Sequence, residues 1–490
     1  MRKTEHYETA AEDRLPFMQK FAYGLGMLAN NLQAAAVGAL PIILNLGLKM
    51  DPRLVGLLGS IPRLFDAFID PIVGHVSDNT RTRWGRRRPL IFWGAILSGI
   101  IFALMWQLYP GHTQMFYFWV FLAASVIFFT AYAIFSIPLV GYGYELTPDY
   151  HERTRLMGFS NIMGQIAWLL CPFFYEFIYD RNIFPGDFGA VRGARTLALV
   201  IGASIIVLGV MPALFTKERM RLPPPDTEGT LQSVAKFFKR FVATWKSRPF
   251  LKLCLATFLI FNGYQLGSSF TFYNMTYYLF GGDESRASHL FKWFGITSSL
   301  ATFAIIWLTT WMSTKIGKRR TFFIMTFVSL FGFVAKWFTY NPEHPYLLLL
   351  SAPLISFGIG SLFTVAGAMV ADVCDLDELN TGERREGMYG AIYWWMVKLG
   401  MAAASLIFGY LLNATGFDVA LKTVQPARTL YLMRACDCGI PLVASAIAIL
   451  AVLTYEITEG RAHQIRTELE ARRGKLVSTA RQTEPADDAD

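Results

Sequence analysis

Three ionisable residues stand within one strongly apolar segment of the sequence, at about 53–77. Arg63, Asp66 and Asp70 lie at positions i, i+3 and i+7, so an α-helix places all three on one face. Two carboxylates one turn apart repel each other unless a cation or a proton lies between them. This face is therefore a candidate site for a monovalent cation or a proton. The alternative is a static network in which Arg63 only holds helices together.

A further charge, Lys398, lies in another apolar segment, at about 388–414. Because its depth there is similar to that of Asp66 and Asp70, an architecture of two halves places the ammonium group opposite the two carboxylates. We expect this contact to form in the empty protein and to loosen when a cation or a substrate binds. In the alternative, Lys398 extends its stem to the membrane surface.

The composition indicates which kind of fold carries these residues. Of 490 residues, 53% are hydrophobic and 17% are charged, whereas a soluble chain carries about 25% charged residues. This charge deficit excludes a disordered chain, a nucleic-acid-binding domain and an ordinary cytosolic enzyme. A helix needs roughly 20 apolar residues to cross a bilayer, and twelve such apolar runs follow one another along the chain. We expect an all-α polytopic membrane protein with twelve transmembrane helices.

The runs fall into two sets of six, with the longest polar stretch between them, which predicts two pseudo-symmetric six-helix bundles. In the central polar stretch, apolar residues at helical spacing predict a helix on the membrane surface, and the alternative is a solvated connector. The predicted segments are a cytoplasmic N-terminal segment, a first bundle, the central loop, a second bundle and a cytoplasmic tail, at 1–20, 21–215, 216–249, 250–457 and 458–490.

Lysine and arginine residues indicate the orientation of the chain. They concentrate in the central loop and in the connections after the second and the eighth run. By the positive-inside rule these connections and both termini lie in the cytoplasm, which predicts a multi-pass protein of the plasma (inner) membrane. A glycine followed by three basic residues recurs at 85–88 and 317–320, a weak internal repeat in keeping with two related halves.

Amides and hydroxyls beside aromatic rings mark a candidate substrate cavity. Such groups suit a polyhydroxylated ligand such as a sugar, which needs many neutral hydrogen bonds and a flat apolar surface. For each residue, the alternative is ordinary hydrogen bonding between helices. The candidates are Asn31, Asn161, Gln165, Trp168, Asn262, Gln265, Tyr273, Trp394 and Trp395.

The sequence carries no enzyme signature. Its seven histidines are not spaced as a metal site, and it has neither a Gly-rich phosphate loop nor a nucleophile elbow. We expect no cofactor, no metal other than a coupling Na⁺, and no nucleic-acid partner. Any energy coupling must then come from an ion gradient.

The stretch 63–89, RLFDAFIDPIVGHVSDNTRTRWGRRRP, resembles the signature of the glycoside–pentoside–hexuronide:cation symporters, relatives of melibiose permease within the major facilitator superfamily. Two further stretches are similar to that family. One is 148–155, after the fourth run, and the other is 371–387, which is followed by WWMVKLG at 394–400. With twelve runs in the matching order, the resemblance covers about 15–460.

The resemblance implies the major facilitator fold, alternating access and uptake of a glycoside driven by sodium, lithium or protons. Asp66 and Asp70 match the family's cation-binding carboxylates, Lys398 its helix-eleven lysine and Arg63 the arginine that precedes the carboxylates. Charged residues of the two further stretches match a region that forms part of a cytoplasmic gate, although a solvated charged loop has the same composition. These gate candidates are Asp149, Arg153, Asp372, Asp375, Glu378, Arg384 and Arg385.

Three positions depart from the melibiose carriers. Asn31 replaces the galactoside-binding acid of helix one, Asn161 the sugar-binding arginine of helix five, and Ser136 the helix-four acid near cation and sugar. The loss of these charges argues against melibiose as the substrate. Ser136 stays a candidate cation ligand, but the missing carboxylate weakens the case for sodium, and the sequence leaves Na⁺ and H⁺ open.

We therefore predict a secondary active transporter, working as a monomer, that couples Na⁺ or H⁺ to symport of a sugar or glycoside by alternating access. One alternative, given the aromatic content, is a major-facilitator carrier of an amphiphile such as a lysolipid. An alternative of another class is a transporter-like membrane sensor or scaffold whose tail at 458–490 contacts a partner.

Overall fold

The computed structural model of the protein describes residues 14–39, 41–147, 150–186, 188–217, 247–381, 386–421 and 425–473. These residues form twelve long helices and, after the twelfth, a further helix α13 at Glu459–Arg473. The twelve are α1 (Phe17–Ala39), α2 (Pro52–Asn79), α3 (Arg88–Met105), α4 (Gln114–Glu145), α5 (Tyr150–Tyr179), α6 (Gly189–Gly209), α7 (Arg248–Tyr273), α8 (Glu284–Ile316), α9 (Lys318–Thr339), α10 (Ser351–Thr381), α11 (Glu386–Ala414) and α12 (Ala427–Leu453). Short helical turns flank α1, α6, α7 and α10, at Ile42–Leu46, Met211–Phe215, Asn274–Leu279 and Pro345–Leu350.

The starts of α2 and α8 are encoded locally. Asp51 precedes α2, and its carboxylate accepts a hydrogen bond from the backbone N–H of Arg53 at 2.8 Å, with Pro52 at the first helical position. Asp283 caps α8 in the same way. These caps satisfy backbone N–H groups that have no partner inside the helix, and so they fix where the two long helices begin.

Eleven of the described helical segments are long and apolar enough to cross a membrane. α2, with 28 residues, is long enough as well, but Arg63, Asp66 and Asp70 interrupt its apolar character. The described helices confirm the predicted all-α polytopic fold with twelve transmembrane helices. The helix that departs from the apolar composition is the one that carries the candidate cation site.

The twelve helices pack as two related halves. In the first half, α1 packs on α5 and α6, α2 on α4, and α3 on α4 and α6. In the second half, α7 packs on α11 and α12, α8 on α10, and α9 on α10 and α12. The second pattern is the first with every helix number raised by six, so the halves are related by a pseudo-symmetric repeat.

Two antiparallel helix pairs, α2 with α11 and α5 with α8, join the halves. Small residues let α2 and α11 approach closely. A Cβ atom added to Gly409 of α11 would lie 2.3 Å from the Pro52 carbonyl oxygen, and one added to Gly56 of α2 would lie 2.8 Å from the Ser405 carbonyl oxygen. In the second pair, a Cβ atom on Gly295 of α8 would lie 2.3 Å from the Pro172 ring.

The outer limits of the predicted segments stay a prediction, and the predicted surface helix of the central loop lies outside the described residues. α13 lies in the segment predicted as a tail. Its residues Ile465 and Leu469 are buried, and the helix packs against α10. The part of the tail nearest α12 is therefore a packed helix.

Candidate functional site

Three charged side chains meet where α2 crosses α11. Lys398 Nζ on α11 lies 2.9 Å from Asp66 Oδ2 on α2 and also donates a hydrogen bond to Asp70 Oδ2. The Asp66 side chain is 6% exposed, whereas those of Asp70 and Lys398 are 29% and 32% exposed. The juxtaposition expected from the sequence is thus present, because one ammonium group from the second half bridges two carboxylates of the first.

In each of these carboxylates, the second oxygen makes no hydrogen bond with Lys398. Asp66 Oδ1 and Asp70 Oδ1 are both buried, and neither accepts a hydrogen bond from any group in the described part of the chain. Buried acceptors of this kind are rare, since leaving one unsatisfied costs about 1–3 kcal/mol. The two oxygens are suited to bind a small cation or a proton.

Proline shapes the backbone around the two carboxylates. α2 contains Pro62 and Pro71 within the helix. Proline has no backbone N–H, so Pro71 leaves the carbonyl group of Ala67 without its usual helical donor. Ala67 lies between Asp66 and Asp70 in the sequence, which adds a backbone oxygen to the part of the helix that carries the carboxylates.

Ser136, the third candidate cation ligand, is half-buried on α4, which packs on α2. Among the hydrogen bonds of the described residues, none joins Ser136 to Asp66 or Asp70. Its role as a ligand stays a prediction.

Arg63 lies one turn along α2 from Asp66, on the side of the crossing where a cavity opens between the halves. Its Nη1 atom is 3.4 Å from both the Met401 carbonyl oxygen and Ser405 Oγ. Both distances exceed the 2.7–3.2 Å range usual for N–H···O bonds, and Arg63 forms no ion pair with any described carboxylate. The guanidinium group is therefore held loosely.

α1 begins and α12 ends on one side of the molecule, and we call the opposite side the far side. The cavity beside Arg63 lies between mid-depth and this far side. Its walls come from both halves and are mostly apolar and aromatic. The polar lining residues are Arg63, Ser125, Tyr175, Gln265, Ser268, Ser269, Tyr273 and Ser405. The aromatic lining residues, apart from the tyrosines, are Trp106, Phe121, Phe128, Phe129, Phe272, Phe291 and Phe408.

Of the predicted substrate-binding residues, Gln265 and Tyr273 line this cavity. The Tyr273 hydroxyl is engaged, because it donates to Asn45 Oδ1 at 2.8 Å. Asn262 is buried elsewhere: its amide donates to the Phe258 carbonyl oxygen at 2.7 Å and packs against Gly400 of α11. Asn262 therefore does not line this cavity, and its role as a substrate-binding residue stays a prediction.

Asn31 and Trp168 join α1 to α5, because Trp168 Nε1 donates to Asn31 Oδ1 at 3.1 Å. Asn161 and Gln165 are exposed at i and i+4 on the face of α5 that carries Trp168 at i+7. On α11, Trp394 is exposed and Trp395 packs against the core of the second half. None of these residues lines the cavity, so the cavity gathers fewer of the predicted substrate residues than expected.

Only some of the predicted gate residues lie in the described part of the chain. Asp149, Arg384 and Arg385 and the side chain of Arg153 lie outside the described part of the chain. Both carboxylate oxygens of Asp372 on α10 accept hydrogen bonds from Lys318 Nζ, at 2.6 and 2.8 Å.

Asp375 and Glu378 are half-buried on α10. In the first half, Glu145 pairs with Arg86 and Arg87 in the corresponding place. These ion pairs act within each half, and a gate between the halves stays a prediction.

Ion pairs between α5 and α8 close the far side. Glu176 of α5 accepts Lys292 Nζ of α8 at 2.5 Å and contacts His289 Nδ1 at 3.2 Å. This pair of helices is the pseudo-symmetric counterpart of α2 and α11. Carboxylates of the first half thus meet cations of the second half at both crossings.

Further polar contacts between the halves lie on the far side, and two of them are hydrogen bonds. One is the hydrogen bond from Tyr273 to Asn45. In the other, Arg53 Nη2 donates to Asn413 Oδ1 at 2.5 Å. Together with the close approach of Gly56 and Gly409, they seal the cavity from that side.

The sequence reasoning missed a second buried charge cluster. Lys336 Nζ on α9 lies 2.7 Å from Asp437 Oδ1 on α12, and the two side chains are 4% and 0% exposed. Thr271, Asn274 and Tyr340 also donate to the Asp437 carboxylate. The available signal was the one that selected Lys398, a charge within an apolar run. Lys336 lies near the end of its run, but Asp437 lies about as deep in its run as Lys398 does.

Known transport proteins resemble this chain in sequence and in fold. Residues 22–459 match a family described as MFS/sugar transport protein. The isoprimeverose transporter of Lactiplantibacillus pentosus is 24% identical over 448 residues, which cover 91% of this chain and 90% of the relative. The glucuronide carrier protein homolog of Escherichia coli (strain K12) is 24% identical over 462 residues, covering 92% and 95%. Among solved structures, the inward open xylose transporter XylE from E. coli superposes with a TM-score of 0.59 at 15% identity, covering 91% and 98%.

Proposed function

The chain belongs to the MFS/sugar transport family, and we propose that it is a symporter that carries a sugar or glycoside together with a monovalent cation. The predicted resemblance to the glycoside–pentoside–hexuronide:cation symporters and the prediction of a multi-pass transporter rather than an enzyme are confirmed. The names of the two relatives support a saccharide as the cargo. The aromatic and hydroxyl lining of the cavity agrees with that class of ligand.

The observation that carries the proposal is the bridge from Lys398 to Asp66 and Asp70. Both carboxylates face the same ammonium group, and each retains a buried Oδ1 without a hydrogen-bond donor in the described chain. A cation or proton that binds these oxygens competes with Lys398 for the same negative charge. Binding therefore weakens the tie between α2 and α11, which is where the two halves meet.

This competition links cation binding to the movement of the halves. A ligand shifts the equilibrium between two conformations only by its differential affinity for them. The affinity of the cation site differs between conformations if Lys398, which belongs to the other half, moves relative to the carboxylates. Rocking about the α2–α11 and α5–α8 contacts supplies that movement, and the substrate is bound between the halves.

The distribution of basic residues supports an orientation with both termini in the cytoplasm. With both termini in the cytoplasm of a bacterial-type inner membrane, the sealed far side faces outward and the described conformation opens inward. In this orientation a cation that enters down its own gradient drives uptake of the cargo. The protein works as a monomer. Either Na⁺ or H⁺ satisfies the charge requirement at Asp66 and Asp70.

A counterflow assay tests the proposal. Purified protein in liposomes loaded with unlabelled saccharide should exchange labelled saccharide from outside, and the rate should depend on sodium or on pH. A panel of monosaccharides and disaccharides identifies the cargo. If no saccharide exchanges under any cation condition while a lysolipid competes for binding, the protein carries an amphiphile and the proposal is wrong.

A further inference from the structure

The buried ion pair of Lys336 and Asp437 lies beside α7, a helix whose side chains line the cavity. We propose that this pair positions the end of α7 so that the Tyr273 hydroxyl closes the far side against the first half. The two charged residues are positioning residues, because they act through Tyr273 and do not line the cavity themselves. This inference rests on the proposed function, since it assigns them a part in the transport cycle.

The Asp437 carboxylate uses both of its oxygens as acceptors. Oδ1 accepts from Lys336 Nζ at 2.7 Å and from Thr271 Oγ1 at 3.1 Å. Oδ2 accepts from Asn274 Nδ2 at 3.2 Å and from the Tyr340 hydroxyl. The two carboxylates of α2 differ, because each has a buried oxygen without a donor in the described chain. Asp437 is therefore suited to hold its neighbours in place, whereas the α2 carboxylates are suited to bind an ion.

Two of these four donors belong to one turn at the end of α7. Thr271 and Asn274 lie at i and i+3, so they share the face of the helix that contacts Asp437. Lys336 supports the same turn, because its Nζ also donates to Thr271 Oγ1 at 2.8 Å. A hydrogen bond to an ionised acceptor is roughly twice as strong as one between neutral groups. The charge of Asp437 therefore fixes the end of α7 more firmly than a neutral side chain would.

Tyr273 lies between these two anchors in the sequence and reaches the other half of the molecule. Its hydroxyl donates to Asn45 Oδ1 at 2.8 Å, in the short helical turn that follows α1. Asn45 is itself held, because its Nδ2 donates to the Met50 carbonyl oxygen at 2.7 Å. Tyr273 and Asn45 are each 1% exposed, so this contact between the halves is shielded from water.

The backbone after Tyr273 departs from the α-helix. A π-helical turn, Asn274–Leu279, follows α7 directly. Such turns are rare and frequently occur at functional sites. The side chain of Asn274, the first residue of this turn, donates to Asp437 and also to the Met433 carbonyl oxygen at 3.3 Å. These two bonds to α12 fix the junction from which Tyr273 projects.

The direction of the effect follows from this chain of contacts. When the far side opens, the end of α7 moves away from the turn after α1, and the bond from Tyr273 to Asn45 breaks. A loosely held α7 loses that bond more easily than one that is anchored to α12. The ion pair therefore favours the conformation in which the far side is closed, in addition to stabilising the second half.

The test measures the far-side-open population of the purified full-length protein in liposomes. Spin labels at Ile183 and Tyr346 report it, because both residues are exposed and they lie on the far side in different halves. Tyr273→Phe removes the hydroxyl, and we expect it to raise the far-side-open population by about three- to tenfold, the range that one hydrogen bond allows. Asn274→Ala acts through the same bond, so its increase should be at least about twofold and no larger than that of Tyr273→Phe.

The decisive measurement is the double variant of Asn274→Ala and Tyr273→Phe, which should show no more opening than Tyr273→Phe alone. Thr276→Val is the matched control. Thr276 is buried in the same π-helical turn, and its hydroxyl donates to the Phe272 carbonyl oxygen of its own helix at 2.9 Å. This control should leave the population unchanged. Increases that multiply in the double variant, or equal populations in Asn274→Ala and Thr276→Val, overturn the proposal.

A second cycle tests the charges themselves. The combination of Lys336→Met and Asp437→Asn leaves no unpaired charge in the interior, and we expect it to raise the far-side-open population by at least about twofold. Adding Tyr273→Phe should again give no further increase, whereas a purely structural role predicts effects that multiply. If the charge variant does not fold, the Asn274→Ala cycle decides the question, because it leaves the ion pair in place.

The outcomes separate this inference from the proposed function, because the label distances are measured without any cargo. Multiplying effects together with normal saccharide counterflow by the wild type overturn the positioning role and leave the symporter intact. Absence of saccharide counterflow under every cation condition overturns the proposed function, even where the two cycles give the expected distances.

Discussion

Lys398 on α11 lies 2.9 Å from Asp66 on α2, across the boundary between the two halves of the molecule. The same ammonium group also contacts Asp70. A single side chain of the second half therefore neutralises two carboxylates of the first. Since the halves have to separate on one side and approach on the other during transport, this contact links the charge state of α2 to the conformation.

Removing the ammonium group should expose the repulsion between the two carboxylates. We expect Lys398→Met to lower the free energy of unfolding of the cation-free protein by about 1–3 kcal/mol. This is less than for a fully buried pair, because the Lys398 side chain is 32% exposed. Sodium or a lower pH should restore stability more strongly in the variant than in the wild type. Thermal unfolding of the detergent-solubilised protein with and without each cation measures this.

The matched control is Lys252→Met, which removes peripheral contacts with Glu456 at 3.0 Å and with the Thr454 carbonyl oxygen at 2.6 Å. This change should cost less than about 1 kcal/mol and add no cation dependence. Equal melting temperatures for Lys398→Met and the wild type in every buffer would show that the bridge is not a stabilising contact.

The buried pair of Lys336 and Asp437 should be a structural element of the second half. Lys336→Met leaves a fully buried carboxylate without its cation, so we expect a loss of about 3–5 kcal/mol of stability. The double variant with Asp437→Asn removes both charges and should recover much of that loss. A double-mutant cycle on melting temperatures measures the coupling, and additive effects of the two substitutions would refute it.

The far-side contact of Glu176 with Lys292 and His289 should favour the described conformation. Glu176→Gln weakens both contacts, and we expect the population with the far side open to rise by about tenfold or less, since the pair is partly exposed. Distances between spin labels at Ile183 and Tyr346 report the change. Asp180→Asn is the control, because Asp180 Oδ1 accepts from Asn182 within the same loop. An unchanged distance distribution in Glu176→Gln would contradict a closing role.

Glycine at the α2–α11 crossing should be required for the same conformation. Gly409→Ala places a Cβ atom 2.3 Å from the Pro52 carbonyl oxygen, and backbone has to move to accept it. We expect lower stability and slower counterflow. Gly439→Ala on α12 is the control, because a Cβ atom there meets nothing within 4 Å. If Gly409→Ala and Gly439→Ala have similar stability and similar counterflow rates, the close approach of α2 and α11 is not required.

Much of this arrangement could be predicted from the sequence. Each apolar run is long enough to specify a membrane helix by itself, and a charge within such a run is visible without a structure. Asp66, Asp70 and Lys398 were found in this way, and their pairing followed from the two-half architecture. Their function as a cation site stays a prediction.

The rest depended on contacts between residues far apart in the chain. The Tyr273 hydroxyl is engaged by Asn45, 228 residues away, and Asn262 faces α11 rather than the cavity. Spacing places a residue on a helix face, but it does not tell which neighbour covers that face. Lys336 was missed because a charge near the end of a run is usually expected to reach water, whereas Asp437 lies about as deep in its run as Lys398 does and carried the same signal.

The most direct test of the cation site is uphill accumulation of labelled saccharide in liposomes under an imposed sodium or proton gradient. We expect the wild type and Glu343→Gln, a change in an exposed loop, to accumulate the saccharide. Asp66→Asn and Asp70→Asn should remain folded but lose accumulation. Normal uphill accumulation by both aspartate variants would contradict the cation site.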